Sequence, residues 1–144
     1  MDHLAIVNKK RKIIKKILQK EKIIESRWYK TKRAPWNKIN KNDTIYFKNS
    51  GEPVVIKAIV DKVIYFSDLN IEKLKYILNT YHKEIGFNKD KIKSCVDLYC
   101  DKKYCILIFL KNPEEIKPFK IDKTGFGLMS AWITINDIDK IKIN

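Results

Sequence analysis

The chain has 144 residues, of which 44% are hydrophobic and 33% are charged. This length and hydrophobic share predict one folded domain over residues 1–144 and exclude a disordered tail. The 31 Lys and Arg residues against 17 Asp and Glu give a formal charge of +14, which favours polyanions, nucleic acid first. An AT-rich genome also enriches Lys, Ile and Asn, so the charge has two explanations.

The sequence predicts a cytoplasmic protein without a membrane partner. It has no apolar run of membrane-spanning length, and residues 1–7 lack the basic region that opens a signal peptide. The odd number of cysteines indicates reduced thiols, and their five-residue spacing does not match zinc ligands. We therefore expect no metal and no cofactor, and we place the cysteines in strands: Cys95, Cys100 and Cys105.

The first elements are a strand over residues 3–7 and a basic helix that Asn8 caps. Apolar residues at helical spacing form one stripe of this helix: Ile13, Ile14, Ile17 and Leu18. Lysines cover its other face: Lys9, Lys12, Lys15, Lys16 and Lys20. That face is either simply solvated or contacts phosphates, and the two interpretations are compatible.

The most informative stretch is the strand over residues 22–30 that follows this helix. Side chains alternate in an extended chain, so Glu25 and Arg27 share one face with Tyr29, whereas Ser26 and Trp28 point to the other. Lys22 lies at the turn before the strand and close to both charges. A charged cluster facing inward is costly unless it is paired or serves a ligand.

A loop over residues 31–37 carries Trp36 beside two cations. Aromatic rings interleaved with cations suit base stacking and phosphate binding. Trp36 is equally well explained as a lid over the end of a barrel, and both interpretations stay open.

The rest of the chain reads as strands with one more helix. A strand over 44–48 precedes a long strand over 54–66 that bends near Asp61, and a helix capped by Asp68 or Asn70 ends at Gly86. The remaining predictions are strands over 95–99 and 104–110, the second closed by Asn112 and Pro113, a loop over 118–127, a strand over 132–135, and core residues Ile138, Ile141 and Ile143.

This pattern predicts an α+β, mainly β fold. The expected architecture is a small, partly open β-barrel with two main helices packed at its ends.

The motif Lys22-x-x-Glu25-x-Arg27 after a helix resembles the signature of the ASCH domain family, Gly-x-Lys-x-x-Glu-x-Arg. Lys20 replaces the motif glycine. The strand at 43–47 and the turn Lys48-Asn49-Ser50-Gly51 also resemble the stretch that borders the ASCH pocket. The resemblance runs from residue 3 to the second helix and more loosely to residue 109.

The resemblance implies a barrel of the PUA-like superfamily, with a cleft lined by the three motif residues and a connection to RNA. One bacterial branch of the family deacetylates acetylcytidine with the motif Lys and a Thr nucleophile. Glu25 occupies the position of that Thr here, and a carboxylate is a poor substitute for this nucleophile. Other ASCH proteins act as ribonucleases.

Two functions follow as hypotheses. The first is a module of RNA metabolism that binds RNA, another single-stranded nucleic acid or a nucleoside-like small molecule. Carboxylate and guanidinium would read a base edge, with Phe126 as one more stacking ring. The candidate ligand-binding residues are Lys22, Glu25, Arg27, Trp28, Tyr29, Trp36, Lys48 and Ser50.

The second hypothesis is a hydrolase that acts on a modified nucleoside or on RNA. Lys22 would be the base or nucleophile, Glu25 would activate water, and Arg27 would stabilise an oxyanion. Ser26 is the only hydroxyl in the motif, but alternation turns it to the opposite face. The plainest alternative to both is that Glu25 and Arg27 form an ion pair that closes the barrel.

Overall fold

The computed structural model of the protein describes residues 1–127 and 129–143. Within these residues, seven strands form one sheet in the order β2-β5-β4-β3-β1-β6, with β7 paired to β5. The strands are β1 Asp2–Val7, β2 Ile24–Tyr29, β3 Thr44–Asn49, β4 Val54–Phe66, β5 Tyr104–Ile121, β6 Trp132–Ile135 and β7 Lys142–Ile143.

Three α-helices accompany the sheet in the described part of the chain: α1 Ile13–Leu18, α2 Ile71–Ile85 and α3 Ile92–Tyr99. Short 3-10 helices cover Lys9–Arg11, Lys89–Lys91 and Ile138–Ile141. None of these helices is long and apolar enough to cross a membrane.

The sheet curls into a half-barrel whose two edge strands are β2 and β6. β1 runs parallel to β3, and the other neighbouring strands are antiparallel. β4 has a bulge at Asp61. Val60 and Lys62 on either side of it pair with the consecutive residues Leu110 and Phe109, so Asp61 is the extra residue. The predicted mainly β, partly open barrel and its bend near Asp61 are confirmed.

Strand alternation divides the apolar residues among three clusters. Interior-facing residues of the curled sheet, such as Phe47 and Ile108, pack with Ile13 and Ile17 of α1. α2 and α3 pack on the outer faces of β2 and β5, where Trp28 is buried. Leu4, Val54 and residues near the chain end form the third cluster, with Ile133, Ile138 and Ile141.

The second predicted helix has the ends expected from the sequence. The Asn70 side chain accepts a hydrogen bond from the backbone N–H of Lys73, and Gly86 ends the helix at φ 109°. The first helix is shorter than predicted. Asn8 caps a 3-10 turn instead, and Lys12 interrupts the helix with left-handed backbone (φ 54°).

The predicted strand over 95–99 is wrong, because this segment forms α3. Its apolar residues recur at helical spacing and pack against α2: Ile92, Cys95, Val96 and Tyr99. Of the cysteines, only Cys105 is buried in a strand; Cys95 lies in α3, and Cys100 is exposed.

The predicted end of the strand at Asn112 and Pro113 is also wrong. β5 continues to Ile121, through the first four residues of the predicted loop over 118–127. The register shifts opposite Ala58, so Asn112 (φ 52°) and Pro113 form an irregular step that needs no regular ladder bonds. Ile143 is 48% exposed and does not belong to the core.

Candidate functional site

Lys22, Glu25 and Arg27 meet in one ionic cluster. Lys22 Nζ lies 3.3 Å from Glu25 Oε1, and Arg27 Nη2 donates to Glu25 Oε2 over 3.0 Å. Lys22 Nζ also donates to the carbonyl of Ile85 at the end of α2, over 2.8 Å. The side chains of Lys22 and Glu25 are each only 5% exposed, so the pair is withdrawn from bulk water.

The cluster lies where the half-barrel is open. β2 is an edge strand, and Arg27 reaches from it to the segment before β6, where Nη1 donates to the carbonyl of Ala131 over 3.3 Å. The guanidinium also lies 5.0 Å from the centre of the Trp132 ring. Arg27 therefore bridges the two edges of the sheet while it holds Glu25.

The protonation of the cluster follows from burial and from the mutual charges. Burial lowers the pKa of Lys22, and Glu25 offsets part of this shift. Burial alone would raise the pKa of Glu25, but the charges of Lys22 and Arg27 outweigh it and hold that pKa below its usual value. Glu25 is therefore a carboxylate at neutral pH, held between two cations.

Two adjoining cavities, of about 590 Å³ and 190 Å³, open onto Glu25. We call them together the cleft. Six residues line both cavities: Arg11, Ile13, Glu25, Ser26, Trp28 and Tyr99. The larger cavity lies between the start of α1, the end of α2 and the length of α3, and its volume falls within the range of pockets for small ligands.

The rim of the larger cavity is cationic. Its lining includes five cations besides Lys22: Lys10, Arg11, Lys12, Lys16 and Lys91. Among the described residues that line it, Glu25 is the only carboxylate. The cleft thus presents cations at its mouth and a single, fully paired anion at its floor, which suits a ligand with anionic ends and hydrogen-bond donors.

Trp28 and Tyr99 form an aromatic wall of the cleft. Their rings stack with centroids 4.4 Å apart and planes 8° apart, so Tyr99 covers one face of Trp28. Trp28 Nε1 donates to Ser26 Oγ over 3.1 Å. Trp28 is itself buried, and it lines the cleft beside Tyr99.

Ser26 lines the cleft together with Glu25, although alternation turns the two side chains to opposite faces of the strand. Both faces are accessible from the cleft because β2 has a neighbouring strand on one side only among the described residues. Strand alternation places Ser26 on the face opposite Glu25, but this does not exclude Ser26 from the site.

Tyr29 and Trp36 do not line the cleft. Tyr29 lines a different cavity beyond Arg27, and its hydroxyl donates to the carbonyl of Ala34 over 3.1 Å. Trp36 packs edge-on against Tyr65 and Tyr104, with ring centroids 4.9 Å and 5.1 Å away. This packing matches the lid interpretation of Trp36.

Lys48 and Ser50 lie beside the cleft rather than in it. Lys48 is buried near the end of β3 opposite Ile6, which lines the smaller cavity. Burial lowers the pKa of Lys48, and the charge of Lys123 lowers it further. Ser50 is exposed, and its N–H donates to the carbonyl of Val7 over 2.9 Å.

Arg11 and Tyr99 are site residues that the sequence did not single out. The basic face of the first helix pointed to this surface, but only Lys12 and Lys16 of its predicted lysines line the cleft. Lys9 instead pairs with Glu52 at 2.6 Å. The sequence predicts a strand at Tyr99, and the place of this ring against Trp28 depends on the packing of α3.

In residues 1–127 and 129–143, no three His, Cys, Asp or Glu side chains come together as a ligand set for a metal ion. The polar groups of the cleft are cations, hydroxyls and one carboxylate, which Lys22 and Arg27 already hold. These groups suit an organic anion better than a cation.

A curled, mainly β sheet with an open edge, helices against it and a cleft at that edge defines a half-barrel fold. The ASCH protein from Zymomonas mobilis has a similar structure, with a TM-score of 0.68, 12% sequence identity, and coverage of 96% of this chain and 90% of that one. This chain has the ASCH-like fold.

Two further solved structures are similar at lower TM-scores. The N-terminal domain of Staphylothermus marinus McrB gives 0.55 at 13% identity and covers 96% of this chain and 90% of that one. The hypothetical protein PH0355 gives 0.53 at 21% identity and covers 81% and 100%. No protein-family model matches the sequence, and no curated protein is similar enough to count as a relative.

Proposed function

We propose that this protein is a binding module for RNA or another single-stranded nucleic acid, and that it holds one nucleotide in the cleft. The observation that carries the proposal is the cleft itself: cations at its mouth, an aromatic wall, and the Glu25 carboxylate at its floor. The resemblance to ASCH proteins, stated from the motif, supports the same class of ligand.

Each part of the cleft has a role in this proposal. The rim cations, Arg11 and Lys12 among them, hold the phosphates by charge. The base lies against Tyr99 and directs its polar edge to Glu25. A carboxylate has about four lone-pair sites, so Glu25 still accepts from a base amino group while it is bound by Lys22 and Arg27.

The test is binding of a nucleoside monophosphate and of single-stranded RNA and DNA oligonucleotides by wild type, Glu25→Gln and Arg27→Lys. We expect Glu25→Gln to weaken binding of the monophosphate about tenfold, the cost of one lost charge-assisted hydrogen bond. Glu115→Gln, an exposed carboxylate on β5, is the matched control and should bind like wild type. Thermal unfolding of each variant without ligand reports whether it folds.

Two results would contradict the proposal. The first is that wild type binds none of the ligands. The second is that Glu25→Gln lowers the melting temperature but leaves the affinity of the folded protein unchanged. The cluster would then serve only as the ion pair that bridges the edges of the barrel.

A hydrolase is the second candidate, because burial lowers the pKa of Lys22 and the Ser26 hydroxyl lines the same cleft. Two donors of Lys22 are already engaged, with Ile85 and Glu25, which opposes a role as a free base. Wild type is incubated with acetylcytidine and with RNA, and we expect no product. Product that disappears in Lys22→Met would instead establish the hydrolase.

A further inference from the structure

A second cavity lies on the other side of Arg27. Its volume is about 670 Å³, and its lining includes Tyr29, Arg33, Ser130 and Trp132. Among the described residues it shares no lining residue with the cleft. Arg27 separates the two, since it lines the smaller cavity of the cleft and covers the Trp132 ring of the second cavity.

Two cation–π pairs shape this second cavity. The Arg33 guanidinium lies 5.5 Å from the centre of the Tyr29 ring, and the Arg27 guanidinium lies 5.0 Å from that of Trp132. Guanidinium planes and aromatic rings are both surfaces on which bases stack. The described lining contains no carboxylate, so nothing in it repels a phosphate.

The walls of the cavity are held in place. Trp132 Nε1 donates to Nδ1 of the buried His3 over 3.2 Å, which fixes the indole under Arg27. The Tyr29 hydroxyl donates to Ala34, which ties β2 to the loop that carries Arg33. Ser130 Oγ donates to the carbonyl of Trp132 over 2.9 Å. Arg33 is exposed and remains able to meet a ligand.

From this arrangement we infer that the second cavity takes the neighbouring nucleotide of the strand whose first nucleotide occupies the cleft. The inference rests on the proposed function and specifies its ligand as a chain of at least two nucleotides. Arg27 lies between the two bases, where it reaches the linking phosphate, while Arg33 and Tyr29 contact the second nucleotide.

The experiment compares a mononucleotide, a dinucleotide and a tetranucleotide, as RNA and as DNA, on wild type and Arg33→Ala. We expect a wild-type gain of at least about tenfold from mononucleotide to dinucleotide, because stacking of one base contributes about 1–3 kcal/mol. Arg33→Ala should lose most of that gain and keep wild-type affinity for the mononucleotide. Lys38→Ala removes one exposed charge from the same loop outside all three cavities and is the matched control.

The outcomes separate this inference from the proposed function. If the mononucleotide binds in a manner sensitive to Glu25→Gln but the dinucleotide binds no tighter, the second subsite is wrong and the cleft stands. Equal losses in Arg33→Ala and Lys38→Ala would also overturn the subsite, because they would show general charge attraction. If wild type binds none of these ligands, both proposals are wrong. A gain with RNA only or with DNA only supports the subsite and identifies the sugar.

Discussion

Glu25 is the residue on which the site depends, because two cations converge on it in a place withdrawn from water. Its carboxylate compensates the buried ammonium of Lys22 and positions the guanidinium of Arg27. Removing one member of such a buried set costs more than removing the set, since the remaining charge keeps its desolvation cost without its partner.

We therefore expect Glu25→Ala to lower the free energy of unfolding by about 3–5 kcal/mol. The double variant Lys22→Met/Glu25→Leu should lose much less, because it removes the buried ammonium together with its carboxylate. Arg27 loses Glu25 in both variants, but its side chain is 13% exposed and it also donates to the carbonyl of Ala131. Urea unfolding at pH 7 measures both. Lys9→Ala, which removes an exposed ion pair with Glu52, is the control and should change stability little. A double variant as unstable as Glu25→Ala would contradict this account.

His3 gives the molecule a pH dependence of its own. The indole of Trp132 only donates, so Nδ1 of His3 accepts and the ring hydrogen on Nε2 points to Asp43, 2.9 Å away. Burial lowers the pKa of His3 below 6.5, although Asp43 offsets part of the shift. As the pH falls below 6.5, the unfolded chain takes up a proton at this residue before the folded protein does.

The stability from neutral His3 is thus complete above its unfolded pKa and is lost as the pH falls from there towards the lower folded value. We expect the free energy of unfolding to decrease from pH 7 to pH 5, and His3→Gln to flatten this slope. Denaturant unfolding at several pH values measures it. His82→Gln on α2 controls for the loss of a histidine as such, and an unchanged slope in His3→Gln would refute the assignment.

At the scale of elements, the end of α2 and the floor of the cleft form one unit. The carbonyl of Ile85 binds Lys22, and that of Gly86 accepts from Lys16 Nζ over 3.2 Å. Gly86 has φ 109°, and a Cβ at this position would lie 3.1 Å from Cβ of Lys22. The helix end is therefore packed directly on a residue of the ionic cluster.

Gly86→Ala should destabilise the protein by at least about 1–2 kcal/mol, the usual cost of left-handed backbone in a residue with a Cβ. It should also weaken nucleotide binding, because the methyl group displaces Lys22. Gly51→Ala shares the positive φ (79°) but has open space around the added carbon. It should lose stability without losing affinity. If the two variants bind equally well, the end of α2 does not position the cleft.

How far the sequence predicts each element depends on whether a local pattern or tertiary packing determines it. The ionic cluster was predictable, because alternation along β2 and one turn of chain bring its members together. Tyr99 was not, because the sequence predicts a strand where α3 forms and because the contact of Tyr99 with Trp28 arises from tertiary packing. The length of β5 was missed for a related reason, since the register shift opposite Ala58 makes Pro113 tolerable.

At the scale of the whole molecule, the charge of +14 becomes informative once some of it is located. Lysines are spread along the chain, but those at the start of α1 and of α3 surround one cavity. Such a cluster releases counterions when it binds phosphates, whereas scattered charges attract a polyanion without a fixed contact.

The triple variant Lys10→Ala/Arg11→Ala/Lys12→Ala should reduce the slope of log K against log salt by about 2, since each phosphate contact on a single strand contributes about 0.7. Lys117→Ala/Lys120→Ala/Lys140→Ala removes the same charge from exposed positions that line none of the cavities. It should leave the slope nearly unchanged. Oligonucleotide titrations from about 50 to 200 mM salt measure both slopes. Equal slopes would show that only the net charge matters.

The place of β1 between β3 and β6 has a consequence for the order of folding. The pairing of β1 with β6 joins residues such as Leu4 and Ile133, which are far apart in the sequence. Because contacts between distant segments form late, we expect this pair of strands to form after the hairpins of the sheet. Until Trp132 is in place the barrel interior stays uncovered beside His3, so we expect the folding intermediate to expose apolar surface at this edge.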